Sequence, residues 1–402
     1  MADPLLLLRN ADVHAPEPLG RRDVLVGGGR VLAIEERIGE LPSVGVAGMA
    51  TLDVAGQRLV PGFVDAHVHL TGGGGESGPA SRVPRLPFRV LAEAGVTTAI
   101  GVLGTDGTTR TVAALVSAVQ ALREEGLSAW CWTGSYEVPP ITLTGDVRRD
   151  IVYVDPIIGV GELAISDHRS SQPTFDEIAR LAADCHVAGM MSGKAGLLHL
   201  HLGDGPRGLS LVRRALDETE LPAATFYPTH VNRKTALFAE ALELARRGMP
   251  IDVTAFPVED GEDAYDAADA ITRYLASDAP RHLLTCSSDG GGCLPRFDAS
   301  GRLSAMDIGR PAALFDTFAT LLARGAALGD VLPVFTRNAA EVLRLGRKGR
   351  IAVGADADLV VLDDGGRPRE VLALGRPILR DGAVVVTGTF ETAFSRISKS
   401  RG

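Results

Sequence analysis

Five short stretches carry side chains that bind metals or move protons, each where an apolar run gives way to a polar loop. D-A-H-V-H-L (65–70) sets His67 and His69 two residues apart, and on an extended backbone such a pair projects from one face. Two imidazoles aimed at one point suit a divalent cation. L-L-H-L-H-L (197–202) repeats the spacing with His199 and His201, Y-P-T-H-V-N-R (227–233) ends a run on His230, and L-L-T-C-S-S-D-G-G-G (283–292) ends one on Asp289. Taken singly, each reads as well as a satisfied core or loop residue. Together they read as the donor set of a two-metal centre, whose chemistry is hydrolysis by an acidified water.

The fifth stretch, I-G-V-G-E-L-A-I-S-D-H-R-S (158–170), puts Glu162 inside an apolar run. A carboxylate is costly to bury unless it is paired or bound to a metal. Lying between two cations it offsets their repulsion, and they in turn hold it ionised. The alternative reading is an ion pair with an arginine such as Arg169.

Groups so far apart in the chain need a scaffold that gathers strand ends. From residue 59 to 345, short apolar runs alternate with helix-like segments such as R-T-V-A-A-L-V-S-A-V-Q-A-L-R-E-E-G (110–126) and F-D-E-I-A-R-L-A-A-D-C-H-V-A-G (175–189). That alternation predicts βα units on a parallel sheet; roughly eight fit, which predicts an α/β fold of the TIM-like (β/α)8 barrel type with its chemistry at the strand C-terminal ends. Residues 1–57 read as strands, with D-V-L-V-G-G-G-R-V-L-A-I (23–34) as two runs about a glycine turn, and the tail returns to β at G-R-I-A-V-G-A-D-A-D-L-V-V-L-D-D (349–364). Both termini, 1–58 and 346–402, are therefore expected to form one small β-sandwich domain beside a catalytic barrel at 59–345.

Composition narrows the function. The 402 residues are 45% hydrophobic and 23% charged, an ordinary globular balance with ample core. A net charge of −9 with no long basic block argues against a nucleic-acid partner. The four cysteines, Cys131, Cys185, Cys286 and Cys293, include no CxxC pair, so a reducing, cytoplasmic setting is expected. The leucine run near the start lacks the flanks of a signal peptide. No apolar run approaches the ~20 residues of a membrane span.

The residues resemble a known family. P-G-F-V-D-A-H-V-H (61–69), the second histidine pair, the late strand-end aspartate and G-R-I-A-V-G-A-D-A-D-L-V-V-L-D (349–363) are similar to the amidohydrolase superfamily. Within it the likeness is to isoaspartyl (β-aspartyl) dipeptidases, carried by D-A-H-V-H-L-T-G-G-G-G-E-S-G-P-A-S-R (65–82), G-V-L-G-T-D-G-T-T-R (101–110), T-G-S-Y-E-V-P-P (133–140), I-S-D-H-R-S (165–170), H-L-G-D-G (201–205), P-T-H-V-N-R (228–233) and S-S-D-G-G-G (287–292). The resemblance implies the same barrel and terminal β-sandwich, homo-oligomers, and two divalent ions, zinc by expectation. It implies His67 and His69 on one ion, His201 and His230 on the other, and Asp289 both completing the first ion's ligands and shuttling the proton. His201 is chosen over His199 because it precedes the L-G-D turn; the role of His199 stays open.

The chain departs from that pattern twice. Glu162 stands where the dipeptidases carry a carbamylated lysine, so a bridging carboxylate is supplied directly. Cys293 stands where they tend to carry a serine, and a thiol donates a weaker hydrogen bond.

A β-aspartyl dipeptide presents an α-amino group, an α-carboxylate and a C-terminal carboxylate. Glu76 suits the amine, and the arginine forks of Arg169 and Arg233 suit the carboxylates. The glycine run 72–75, Gly74 within it, lets backbone approach the ligand. Tyr136 is expected to polarise the scissile carbonyl, and Asp289 to carry the proton from water to the leaving amine. Thr105 and Ser287 are further candidates for substrate contact. Two rival readings stand beside this one: another amidohydrolase acting on N-acyl or D-amino-acid derivatives or cyclic amides, and a barrel that has lost catalysis and serves as a scaffold.

Overall fold

The computed structural model describes residues 5–39, 49–297, 303–389 and 391. Parts of the expected terminal unit, 1–4, 40–48, 390 and 392–402, lie outside the described residues.

Six parallel strands form one sheet in chain order: Phe63–Val68, Val96–Gly101, Ser128–Thr133, Ile157–Ile165, Leu197–Leu202 and Phe226–Thr229. Two more, Ile251–Thr254 and Leu284–Ser287, pair with each other in parallel. The sheet curls, so that its ends meet this pair. On one side, Thr229 donates its hydroxyl to Asp252 at 2.7 Å. On the other, Val68 bridges Gly290 in parallel, and the His69 amide donates to the Gly290 carbonyl at 2.8 Å. The first six strands are almost wholly buried on both faces, as parallel strands covered by helices must be.

A helix follows each strand: Phe88–Glu93, Val112–Glu125, Val147–Tyr153, Phe175–Ser192, Ser210–Glu218, Thr235–Arg246, Ala267–Leu275 and Ala312–Ala323. Their starts are written locally. Thr111, Asp146 and Asp266 accept amide hydrogen bonds at the N-caps, and Thr174 with Glu177 makes a reciprocal capping box. The longest helix, Phe175–Ser192, buries Ile178, Leu181, Ala182, Cys185 and Ala188 against the sheet at the spacing of one helical face.

Strands from both ends of the chain share a second sheet. Its order is Ala383–Val384, Arg376–Arg380, Pro368–Ala373, Leu359–Leu362, Arg58–Pro61, Leu5–His14, Pro18–Gly27 and Arg30–Glu35, with Met49–Asp53 also pairing with Leu5–His14. It has an apolar core of its own, including Leu8, Val13, Val24, Leu59, Leu359 and Val361. A buried cation ties it to the parallel sheet: Lys348 Nζ lies 2.6 Å from Asp358 and 2.9 Å from Asp356, and donates to the hydroxyl of Ser128.

Two details differ from the sequence expectation. Of 349–364 only Leu359–Leu362 is a strand, because Gly349 and Gly354 take positive φ and turn the chain before it. A hairpin of Cys293–Phe297 and Leu303–Ile308 follows Asp289, where no strand pair was expected.

Among the described residues, no helix is long and apolar enough to cross a membrane.

Candidate metal centre

The strand ends bring together the residues that the sequence singled out. Glu162 lies at the centre, fully buried. Its Oε1 is 3.4 Å from His67 Nε2 and 3.5 Å from His69 Nε2. Its Oε2 is 3.0 Å from His201 Nδ1 and 3.6 Å from His230 Nε2. Asp289 Oδ1 joins the first group, 3.0 Å from His69 Nε2 and 3.5 Å from His67 Nε2. The alternative partner, Arg169, is engaged elsewhere: it forks onto Asp167 at 2.7 and 3.0 Å and reaches Glu76 at 3.4 Å.

Backbone at these strand ends is bent to aim the side chains. His230 and Asp289 sit at φ 60° and 52°, a left-handed conformation that costs non-glycine residues roughly 1–3 kcal/mol and collects at functional sites. Gly104 must be glycine, since a Cβ there would lie 2.6 Å from the His69 ring.

The donor set fits a pair of divalent cations. His67, His69 and Glu162 offer ligand atoms within 4.8 Å of one another, and so do Glu162, His201 and His230. His67 Nε2, Glu162 Oε1 and Asp289 Oδ1 are buried without a hydrogen-bond partner although they face one another. Buried polar atoms left this way are rare in native proteins, and a lone pair and two carboxylate oxygens so placed fit a cation.

The electrostatics agree. Burial alone would raise the pKa of Glu162, but the histidines facing it outweigh burial and hold it well below the ordinary carboxylate range. Asp289 is likewise held ionised by His67 and His69 against its burial. His67 is desolvated too, yet Glu162 and Asp289 raise its pKa well above the usual value. His230, equally buried, is pulled down to about 3 by desolvation. A metal ion competes with a proton at the first histidine and meets a free lone pair at the second.

Around this centre stand the other candidates. Tyr136 is buried, its hydroxyl 2.8 Å from His201 Nδ1 and its ring under the Arg169 guanidinium at 5.3 Å. Burial and the charge of Glu162 push its pKa well above 10, so the phenol stays protonated. Arg233 lies in the turn after His230 and approaches Asp204 at 3.9 Å. Cys293 sits at the start of the hairpin, half-buried, with its Cβ 3.5 Å from the place a Gly74 side chain would occupy; burial raises its thiol to about 11. The Gly74 carbonyl accepts from Arg110 at 3.2 Å. Thr105 follows Gly104 and is half-buried. Ser287 is fully buried and donates to Asp252 at 2.5 Å, so its hydroxyl is engaged within the strand pair Ile251–Thr254 and Leu284–Ser287.

Sequence reading missed the groups that orient the ligands. Asp167 accepts from His201 Nε2 at 3.0 Å, which leaves the Nδ1 lone pair of His201 towards Glu162. Thr254 holds His230 Nδ1 at 2.8 Å. Arg110 also grips the glycine loop through Gly73 at 2.9 Å. Asp167 was legible only as a polar neighbour of Arg169 in S-D-H-R-S; Thr254 gave no signal.

With that geometry in place, comparison with known proteins defines the class. Residues 58–395 match the amidohydrolase family, and the chain belongs to it. A solved β-aspartyl dipeptidase from the thermophilic keratin-degrading Fervidobacterium islandicum AW-1, in complex with the β-Asp-Leu dipeptide, is similar at 41% identity over 94% of this chain and 98% of that one, with a TM-score of 0.87. Curated relatives are more distant. They include an adenine deaminase of Nitratidesulfovibrio vulgaris at 26% identity, which matches 95% of this chain, while the chain spans only 59% of that protein's length. An allantoinase of Salmonella newport is 23% identical, over 89% of this chain and 85% of its own length.

Proposed function

We propose that this amidohydrolase cleaves the isopeptide bond of β-aspartyl dipeptides. The observation that carries the reading is the convergence of Glu162 and Asp289 on His67, His69, His201 and His230, in a chain 41% identical to a dipeptidase holding β-Asp-Leu. His67, His69 and Asp289 would hold one divalent ion, His201 and His230 the other, with Glu162 between them; zinc is the expected metal. Such ions, when bound, lower the pKa of water to about 7 and polarise a carbonyl.

The chain's own groups do the rest. Asp289, held ionised at the edge of the site, accepts the proton of the attacking water and returns it to the leaving amine. Tyr136, held as the neutral phenol, donates its hydrogen to the oxygen on which charge develops. Arg233 through its fork and Arg169 through the Nη1 left outside its Asp167 fork bind the two carboxylates of the substrate. Glu76, already 3.4 Å from Arg169, receives the α-ammonium. Gly74, Thr105 and Cys293 line the remaining side.

The same reading takes the eight parallel strands as a closed (β/α)8 barrel over 59–345 and the two termini, 1–58 and 346–402, as a small β-sandwich, with Arg58–Pro61 carrying the chain between them. It also takes the protein as a cytoplasmic homo-oligomer.

Turnover of β-Asp-Leu and β-Asp-Arg against a panel of N-acetyl amino acids and hydantoins tests the substrate class. Cleavage of the β-aspartyl dipeptides alone is the expected result. Brisk deacylation or ring opening, with the dipeptides untouched, would move the activity elsewhere in the family.

A further inference from the structure

His199, the first histidine of L-H-L-H-L, holds no place in the ligand set, yet it is among the most tightly fixed residues of the site. It is fully buried. Its ring stacks on Trp132 at 4.8 Å and 19°, with the Tyr227 ring at 5.0 Å and the His67 ring at 5.1 Å. A Cβ on Gly161 would meet the His199 Cβ at 2.6 Å, so the residue before Glu162 must be glycine for this ring to fit. Trp132 reaches the Ala66 carbonyl through its indole nitrogen at 3.4 Å, and Tyr227 is held by Thr285 at 2.7 Å.

The two ring nitrogens of His199 have unequal partners. Nδ1 lies 2.9 Å from the Tyr227 carbonyl. A carbonyl only accepts, so Nδ1 carries the proton. Nε2 lies 2.8 Å from His67 Nδ1. A neutral His199 has only a lone pair there, and His67 must therefore donate from Nδ1. Once His67 gives up its second proton, its lone pair is therefore on Nε2, the atom facing Glu162 and Asp289. Had His199 been replaced by a donor, His67 would present Nδ1 as acceptor and bury a proton where an ion should bind.

We propose that His199 is a positioning residue that fixes the tautomer and ring plane of His67 and so secures the ion held by His67, His69 and Asp289. It is the middle link of a chain running from the Tyr227 carbonyl through His199 to His67. Partners behind metal-bound histidines typically matter by about 10–100-fold in metal affinity.

This inference rests on the two-metal reading, and the test separates the two. Metals per chain are counted by mass spectrometry after dialysis against a graded chelator, with thermal melting of the same samples. The wild-type protein should retain two ions. His199→Phe keeps an aromatic ring between Trp132 and Tyr227 but offers no acceptor; it should release one ion at a chelator strength about 10–100-fold lower and keep the second. His199→Gln, whose amide oxygen still accepts from His67, should recover most of that loss. If His199→Phe holds both ions as firmly as the wild type, the proposal is overturned. Should His199→Phe fail to fold, His199→Leu supplies the acceptor-free comparison: loss of one ion from His199→Leu but not from His199→Gln supports the proposal, and equal loss from both would make the role steric. A wild-type chain that binds no metal overturns the proposed function itself, and this inference with it.

Discussion

Replacing Glu162 by glutamine changes one oxygen for an amide nitrogen and removes one charge at the point where four imidazoles meet. The side chain keeps its size, so packing against Gly104 and the strands is preserved and the fold should hold. The electrostatic loss follows from the distances. Glu162 Oε1 lies 3.4 Å from His67 Nε2; at an effective dielectric near 20, a unit positive charge at that separation interacts by about 5 kcal/mol. At about 1.4 kcal/mol per factor of ten, that is on the order of a thousandfold in affinity for each unit of cationic charge. The amide oxygen returns part of this through its dipole, and the second charge of a divalent ion adds to it. Glu162→Gln is therefore expected to lose at least one metal under dialysis that leaves the wild type loaded, and to lose most of its turnover with it. The assay is metal content and dipeptide hydrolysis on the same preparation, with circular dichroism to confirm the fold. Two retained metals at full rate would refute the placement of Glu162 between the ions.

Tyr136→Phe should keep both metals and lower kcat by about 10²–10³, the usual loss of one donor to a developing oxyanion; an unchanged kcat would make Tyr136 a packing residue. Lys348→Met leaves Asp358 buried without its cation and should cost about 3–5 kcal/mol in urea unfolding; a smaller loss would show that the two sheets are not coupled through this pair. Asp65, fully buried, has its pKa raised to about 7 by desolvation against its bonds to Ser288. Its folded form prefers the proton, so it costs nothing below pH ~4, where both states are protonated, and costs progressively more as pH rises to about 7, reaching about 4 kcal/mol. Asp65→Asn in the metal-free protein should therefore gain stability relative to wild type across that window and hold the gain above it; a difference independent of pH would refute the assignment.

How much of this was legible beforehand varies with the range of the interaction. The metal ligands were readable because strand geometry is local: a two-residue spacing puts His67 and His69 on one side whatever the rest of the chain does. Helix starts were equally local, as the Thr174–Glu177 box shows. The hairpin after Asp289 was not readable, since three consecutive glycines, Gly290, Gly291 and Gly292, signal a loop and a proline such as Pro295 is disfavoured inside a strand.

The sequence by itself determined the donor types, their order along alternating strands and helices, and a carboxylate, Glu162, inside an apolar run. Only the tertiary structure decided which nitrogen of each imidazole faces inward, because that depends on acceptors far along the chain. Asp167 stands behind His201, Thr254 behind His230, and His199 with the Tyr227 carbonyl behind His67. A hydrogen-bond partner 24 to 132 residues away leaves no periodicity to read; it exists only once the sheet has curled and brought the strand ends face to face.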